Sequence, residues 1–218
     1  MSPIRRELQT AGYADLGVMD PTESTRQVAE TVAMSLGAIV AAPIEQLKVT
    51  PLGIKPLNTY GGNYGFGELP LHSDLAHWHR PPRYLLLRCV TGSPNVSTRL
   101  FDRYDLEKVI SPDLMRRALF SPRRKLDGKM YLLKMLTRDV LRWDSLFLSP
   151  KNDSAREVAK LMSELGSGPQ VKDIFLSQPG RTVLLDNWRV LHGRSGVPAS
   201  DAGRSLDRAY LDLIENGD

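Results

Sequence analysis

The pattern of apolar positions predicts a helix near the start of the chain, over about residues 20–37. Asp20 and Pro21 can begin it, because proline is well tolerated in the first turn of a helix. Apolar residues then recur at the spacing of one helix face, at Val28, Ala29, Val32, Ala33 and Leu36. Gly37 can end the helix, since glycine readily adopts the left-handed backbone that often follows a last turn.

Short apolar or alternating runs after this helix predict β-strands. They cover residues 38–42, 69–74, 84–90, 130–136, 181–186 and 208–213. The clearest is 84–90, which has Pro81-Pro82 before it and a Gly-Ser-Pro turn after it. Two more helices are predicted over 106–120 and 154–165. Residues 58–67 contain four glycines and three aromatic residues, which indicates a loop that approaches another group closely.

The order of these elements favours an antiparallel β-core with helices packed on it. Helices precede and interrupt the strands without the regular rhythm of βαβ units. The double-sheet jelly roll is one fold of this kind. A length of 218 residues fits a single domain, 1–218, in which the helical segment at about 20–37 packs on a β-core at about 38–213.

Composition restricts the class of protein. With 41% hydrophobic and 25% charged residues, the chain is ordinary for a soluble globular protein. It contains no stretch suited to a membrane span, and its first residues lack the apolar run of a secretory signal. The single cysteine, Cys89, excludes an internal disulfide and a cysteine-based zinc site. We expect a cytoplasmic protein with no membrane partner, and the sequence leaves a homo-oligomer open.

The net charge of +4 and the pI near 9.2 raise nucleic acid as a partner. The basic residues are scattered, however, and the densest patch, at 116–125, carries a single phenylalanine and no repeated alternation of aromatic and basic residues. We therefore do not expect a nucleic-acid partner. A solvated face, or attraction of a small anionic substrate, explains the charge equally well.

Histidines supply the candidate chemistry. Three of the four, His72, His77 and His79, fall within eight residues, and His192 stands alone near the other end. His72 and Asp74 are two residues apart, a spacing that places side chains on the same side of a strand. Two histidines and one carboxylate on one face are typical of non-haem iron(II) oxygenases. A His-x-Asp pair also arises by chance, and a buried histidine bonded to its neighbour is the alternative.

The segments around these residues resemble the taurine dioxygenase-like family of iron(II)/2-oxoglutarate-dependent oxygenases. The family pattern is His-Thr/Ser-Asp, then Pro-Pro with an apolar strand, then Asp-Asn-x-Arg-x-x-His-Gly-Arg. Residues 72–74, 81–87 and 186–194 match it in this order. The resemblance covers about residues 38–213, and its last motif is the most specific.

The resemblance implies that His72, Asp74 and His192 bind Fe(II), with 2-oxoglutarate and O2 as co-substrates. It also implies that Arg204 binds the far carboxylate of 2-oxoglutarate, since a guanidinium can grip a carboxylate through two parallel hydrogen bonds. Thr98 would share that carboxylate. The family usually has two glycines just before this threonine, whereas this chain has Asn95-Val96-Ser97.

Candidate substrate contacts are less specific. Arg208 occupies a family position that often contacts an anionic substrate or the ketoacid; the alternative is a surface arginine on the last strand. One of His77 and His79 is expected near the substrate. The other candidates form a substrate wall: Tyr60, Asn63, Phe66 and Trp78. Simple packing of the aromatic rings is the alternative.

The implied activity is hydroxylation of a small polar metabolite, such as an amino acid or another anionic molecule, with release of succinate and CO2. Desaturation, epoxidation or bond cleavage would use the same site. Two other classes stay open: a metal-binding jelly-roll protein without oxygenase activity, and a dioxygenase that modifies nucleic-acid bases. If Arg204 and Thr98 converge on the metal site, an oxygenase is favoured over a metal-binding protein without this activity. A continuous basic groove that leads to the metal would indicate a dioxygenase that modifies nucleic-acid bases.

Overall fold

The computed structural model describes residues 2–125, 128–165 and 171–214. Helices in these ranges are α1 (Pro3–Ala11), α2 (Thr25–Leu36), α3 (Tyr60–Tyr64), α4 (Arg103–Val109), α5 (Pro112–Arg117), α6 (Asp153–Glu164) and a 3-10 turn at Ala199–Asp201. The strands are β1 (Tyr13–Val18), β2 (Ala38–Val40), β3 (Glu45–Lys48), β4 (Leu69–His72), β5 (Tyr84–Thr91), β6 (Ser97–Asp102), β7 (Leu119–Pro122), β8 (Leu133–Lys134), β9 (Leu148–Pro150), β10 (Lys172–Phe175), β11 (Arg181–Asp186), β12 (Val190–Arg194) and β13 (Ser205–Leu213).

The larger of two facing sheets is built around β13. Its strand order is β1-β11-β5-β13-β2, with β3 also paired to β13, and all of these pairs are antiparallel. One edge of β13 pairs with β5 over most of its length. The other edge pairs first with β3 and then with β2. The start of β13 is therefore enclosed on both sides by neighbouring strands.

The smaller sheet has strand order β10-β6-β12-β4. Apolar side chains from both sheets fill the space between them, among them Leu85 and Leu87 of β5, Leu100 of β6 and Leu206 of β13. Two antiparallel sheets packed face to face form a double-sheet jelly roll. The predicted fold class, mainly β in a single jelly-roll domain with flanking helices, is confirmed.

Helices cover the outer face of the larger sheet, as the sequence predicted. Val28 and Val32 of α2 pack on Leu86, Leu184 and other outward-facing residues of the sheet. Because Leu86 lies on this face while Leu85 and Leu87 lie in the interior, β5 is buried on both sides and reads as one apolar run. A third cluster joins α4, α5, α6 and the small sheet β8-β7-β9. Among the described residues, no helix is long and apolar enough to span a membrane.

The helix predicted over about residues 20–37 is α2, and it begins later than predicted. Asp20 accepts hydrogen bonds from the backbone and hydroxyl of Thr22, which forms a turn instead of a first helical turn. Helix α2 starts at Thr25, where Ser24 and Gln27 form a reciprocal capping box. Its predicted end is confirmed: Gly37 has φ of 62°.

The prediction of a single helix over 106–120 is wrong, because two shorter helices lie there. Helix α4 ends at Val109, and α5 starts anew at Pro112. Ser111 precedes this proline, and the ring of a proline disfavours helical backbone in the residue before it. Phe120 lies in β7 and is buried in the third cluster.

Three other predicted elements differ in extent. The strand predicted over 130–136 is confined to β8, and the loop at 58–67 contains the short helix α3. Strand β4 ends at His72, so Asp74 lies beyond it. The argument from alternation along a strand therefore does not explain why His72 and Asp74 come together.

Candidate metal centre

Three buried side chains meet at the edge of the smaller sheet. His72 and His192 are direct cross-strand partners in β4 and β12, and their ring centroids are 4.3 Å apart. Asp74 Oδ1 lies 3.3 Å from His72 Nε2 and 3.6 Å from His192 Nε2. Potential ligand atoms of the three residues all lie within 4.8 Å of one another. Two imidazoles and one carboxylate in this arrangement fit Fe(II) with positions left open for other ligands.

The hydrogen bond of His72 and the lowered pKa of His192 suit metal binding. His72 Nδ1 lies 2.9 Å from the carbonyl oxygen of Pro70, so the proton on Nδ1 leaves the Nε2 lone pair free to face Asp74. Burial, with the charge of the neighbouring His72, lowers the pKa of His192. The neutral imidazole that a metal requires is therefore favoured at His192.

The second oxygen of Asp74 is held by the larger sheet. Arg208 Nη1 and the Tyr210 hydroxyl each donate to Asp74 Oδ2 at 2.9 Å. Burial opposes ionisation of Asp74, but the charge of Arg208 and the two histidines outweighs it, so its pKa lies well below 3.8. Asp74 is thus an ionised candidate ligand with Oδ1 directed at the histidines.

Asn187 places Asp74 beside the histidines although Asp74 lies beyond the strand. Its Oδ1 accepts the backbone N–H of Asp74 at 2.9 Å, and its Nδ2 donates to the carbonyl oxygens of Asp74 and Pro82, both at 3.0 Å. The next residue, Leu75, has φ of 55°, an uncommon value for a residue other than glycine. The Asn187 side chain and the sharp turn at Leu75, and not alternation along a strand, therefore bring Asp74 beside the histidines.

Other residues of the last sequence motif shape the surroundings of the site. Arg189 donates to the terminal carbonyls of α1 and pairs with Asp102. A Cβ at Gly193 would lie 2.6 Å from the Leu69 carbonyl oxygen, so β4 and β12 can approach closely only with glycine there. Arg194 donates to the carbonyls of Gly65 and Gly67 and so fixes the loop before β4.

A cavity of about 540 Å³ extends from the three candidate ligands, and both predicted co-substrate residues line it. Arg204 and Thr98 are buried, with 6% and 3% of their surfaces exposed. Nε and Nη2 of Arg204 have no hydrogen-bond partner among the described residues, and burial lowers the pKa of its guanidinium. A buried cation with free donors fits the carboxylate of a co-substrate such as 2-oxoglutarate.

Comparison with characterised proteins adds a relative. No family model matches the chain. The chain is 27% identical over 180 residues to gamma-butyrobetaine dioxygenase from Homo sapiens, and equally similar to the same protein from Pongo abelii. This match covers 68% of the chain and 45% of each relative, so the chain spans about half their length. The motif order and the assembled triad agree with this relationship.

The chain is thus similar in sequence to a dioxygenase, and it carries the motifs by which it resembles the taurine dioxygenase-like family.

Solved structures share the fold. The oxygenase OrfP in complex with Fe and alpha-ketoglutaric acid superposes with a TM-score of 0.68 at 16% identity, covering 95% of this chain and 77% of that one. Asparagine oxygenase in complex with Fe(II), 2S,3S-3-hydroxyasparagine and succinate gives 0.61 at 19% identity, covering 79% and 57%. Similarity at these identities establishes the jelly-roll fold.

Tyr60 forms a wall of the cavity beside the three candidate ligands. Its ring lies 4.5 Å from the His72 imidazole, and its hydroxyl donates to Asp144 Oδ2 at 2.5 Å. Burial, followed by the charge of Asp144, raises the pKa of Tyr60 well above 10.0. Sequence reasoning did not identify Asp144, because it lies outside every motif and its partner is 84 residues away.

The other predicted wall residues do not line this cavity. Asn63 is exposed and donates to carbonyls of its own loop, and Phe66 lies in the same loop, where its carbonyl accepts the Val197 N–H. Trp78 is 43% exposed. His77 packs on Phe147 beside a separate cleft. The structure therefore gathers Tyr60 and Arg208 at the candidate centre, and leaves the rest of the predicted wall elsewhere.

Neither His77 nor His79 belongs to the triad. Arg142, a buried arginine, donates to the carbonyls of Ala76, Trp78 and His79, and so holds the segment after Asp74 away from the cavity. His79 packs on Tyr131. The cluster of three histidines in sequence thus contributes one candidate ligand.

Proposed function

We propose that the chain is an iron(II)- and 2-oxoglutarate-dependent oxygenase that hydroxylates a small polar metabolite, with an amino acid as the preferred class, and releases succinate and CO2. The observation that carries the proposal is the meeting of two features in one cavity. The buried His72, Asp74 and His192 triad lies at one side of it, and the buried, incompletely paired Arg204 lines it too.

The relatives support the same chemistry. The curated relative is a dioxygenase, and the neighbouring structures hold alpha-ketoglutaric acid, succinate or hydroxylated amino acids. Bound Fe(II) would supply the centre at which O2 oxidises 2-oxoglutarate to succinate and CO2 while a substrate C–H bond becomes C–OH. The balance is one substrate, one 2-oxoglutarate and one O2 to one hydroxylated product, one succinate and one CO2.

The chain's own residues would orient these reactants. Arg204 would bind the far carboxylate of 2-oxoglutarate through two N–H donors, with the Thr98 hydroxyl beside it. Arg208 and Tyr210 keep one oxygen of Asp74 occupied, which leaves the other for the metal. Tyr60 closes one side of the cavity against His72 and limits water there.

Turnover tests the proposal. Aerobic incubation with Fe(II), ascorbate, 2-oxoglutarate and a panel of amino acids should give succinate and, for one of them, a product 16 mass units heavier, about one per succinate. His192→Ala should abolish both. His79→Ala, which alters a histidine outside the triad, should retain both. If folded protein binds Fe(II) and 2-oxoglutarate but oxidises nothing in a wide metabolite panel, the alternative of a metal-binding jelly roll without oxygenase activity gains support.

Nucleic acid is the other alternative. The basic residues Arg123, Arg124 and Lys125 line a cleft distinct from the candidate metal cavity, and they share it with His77. Turnover of methylated oligonucleotides, with no turnover of free metabolites, would favour this alternative. We further propose that residues 1–218 act as one oxygenase unit in the cytoplasm. Light scattering of the purified protein tests for a homo-oligomer.

A further inference from the structure

Arg208 and Glu45 face each other across paired strands beside the metal cavity. They are direct partners in the β13–β3 register, and both line the cavity. Arg208 Nη2 donates to Glu45 Oε2, while Nη1 donates to Asp74 Oδ2. The Arg208 side chain is 17% exposed and the Glu45 side chain 56% exposed. Both ends of the guanidinium are therefore occupied, one by a buried carboxylate and one by an accessible carboxylate.

The charged groups that line the cavity differ in what they contact. Lys48 and Lys55 are among them, but Arg208 is the lining cation that donates to a candidate metal ligand. Among the described residues that line it, Asp74 and Glu45 carry the carboxylates. Asp74 belongs to the candidate metal centre, and Arg204 is assigned to 2-oxoglutarate. Arg194 is already bonded to backbone carbonyls. The Arg208–Glu45 pair is thus the ion pair that a charged substrate would meet beside the metal ligands.

An anionic group that approaches Arg208 must share it with Glu45 or displace Glu45 from Nη2. In either case a plain anion brings two negative charges close together, which is unfavourable. A zwitterion avoids this cost: its carboxylate can take the guanidinium, and its ammonium can take the released Glu45 carboxylate. One ion pair is then exchanged for two.

We propose that Glu45 is a specificity-determining residue that selects zwitterionic amino acids over plain anions of similar shape. The inference rests on the proposed function, because it assumes that the substrate binds beside the metal and 2-oxoglutarate. It adds a role for a residue outside every motif of the sequence, and it gives the ammonium group of the substrate a partner.

Matched ligands and matched variants test it. The ligands are free amino acids, including L-asparagine and L-arginine, and their N-acetyl derivatives, which keep the carboxylate but lose the ammonium. The variants are Glu45→Gln and, as control, Glu30→Gln; Glu30 is a similarly exposed carboxylate paired with Arg26 on α2. Anaerobic protein loaded with Fe(II) and 2-oxoglutarate is titrated, and binding is followed by the visible charge-transfer band and by calorimetry.

In the wild type and in Glu30→Gln, at least one free amino acid should bind ten or more times tighter than its N-acetyl form. In Glu45→Gln this ratio should fall about tenfold, with the band of the iron–ketoacid centre unchanged before ligand is added. Equal ratios in wild type and Glu45→Gln would overturn the inference and leave the proposed function standing. A band that no amino acid perturbs would overturn the inference and the preference for amino acids, and would leave the iron and 2-oxoglutarate chemistry standing. Absence of the band in folded protein would instead overturn the proposed function, and the inference with it.

Discussion

The side chain of Asn187 holds the peptide groups on both sides of Asp74. It accepts the Asp74 N–H and donates to the Asp74 carbonyl. This contact joins the turn after β4 to the end of β11, in segments that are 113 residues apart. The position of the carboxylate in the candidate metal centre therefore depends on a neutral amide that contacts no metal.

Removal of this amide should loosen the metal centre. We expect Asn187→Ala to weaken Co²⁺ affinity by roughly 10- to 100-fold, because residues that orient a ligand contribute this much to metal binding. It should also lower the free energy of unfolding by about 1–3 kcal/mol, since buried peptide groups lose their partners. Calorimetry and chemical denaturation measure the two effects. Asn95→Ala is the control, because Asn95 bonds to Asp201 at the surface; equal metal affinity in both variants would contradict the clamp.

We expect Arg204 to contribute nothing to the stability of the metal-free protein, or to lower it, and to be required for tight binding of 2-oxoglutarate. Among the described residues its buried guanidinium lacks partners at two nitrogens, so Arg204→Met should leave the stability of the metal-free protein within about 1 kcal/mol of wild type or raise it. The same variant should bind 2-oxoglutarate at least about tenfold more weakly.

Arg88→Met provides the contrast. Arg88 is equally buried but donates to the carbonyls of Asp20 and Glu23 and to the Thr25 hydroxyl. Its loss should cost about 1–3 kcal/mol of stability. Affinity for 2-oxoglutarate should stay within about twofold of wild type in Arg88→Met. If Arg204→Met were the more destabilised of the two variants, Arg204 would have a structural role instead.

Tyr60 and Asp144 should be energetically coupled. In Tyr60→Phe the ring still covers His72, but the buried Asp144 carboxylate loses a donor, so stability should fall by about 1–3 kcal/mol. Asp144→Asn removes the charge, and the double variant should be less destabilised than the sum of the two single variants. Denaturant unfolding of the four proteins measures the coupling. Tyr64→Phe is the control, since its hydroxyl makes a long, 3.5 Å contact with Ser145; additive effects at Tyr60 and Asp144 would argue against the pair.

A divalent metal should stabilise the fold through the triad. At a metal concentration a hundred times the dissociation constant, binding adds about 2.7 kcal/mol to the free energy of unfolding. We expect Co²⁺ to raise the unfolding temperature of the wild type and of His79→Ala, but not of His72→Ala or His192→Ala. If Co²⁺ failed to raise the unfolding temperature of His79→Ala, the metal would instead bind the cluster of His72, His77 and His79.

Much of the fold follows from local sequence patterns. β5 and β11 are apolar runs bounded by turn residues, and α2 has a clear apolar face, so each could be predicted. Elements held by distant contacts could not. Strand β3 is short and largely exposed, and its pairing with β13 depends on the whole sheet. Helix α1 is mostly polar, and Arg189 from near the other end of the chain caps it.

The site divides in the same way. The family motifs contain the candidate ligands and Arg204, which lie together in the structure. Asn187, which orients Asp74, also lies in a motif. Other residues that shape the cavity lie outside every motif: Asp144 meets Tyr60 across 84 residues, and Glu45 meets Arg208 across 163. Single side chains at such separations leave no periodic signal. Part of the predicted wall lies outside the cavity for a related reason, because Arg142 binds the backbone carbonyls of the segment that contains His77 and Trp78.

Anaerobic titration of the purified protein with Fe(II) and 2-oxoglutarate tests the central claim most directly. The account predicts a weak visible charge-transfer band that saturates at one Fe(II) per chain. The band should be absent in His72→Ala, and Arg204→Met should require at least about tenfold more 2-oxoglutarate to reach half of its amplitude. Folded wild-type protein that gives no band, or a band unchanged in His72→Ala, would contradict an iron(II)/2-oxoglutarate centre at these residues.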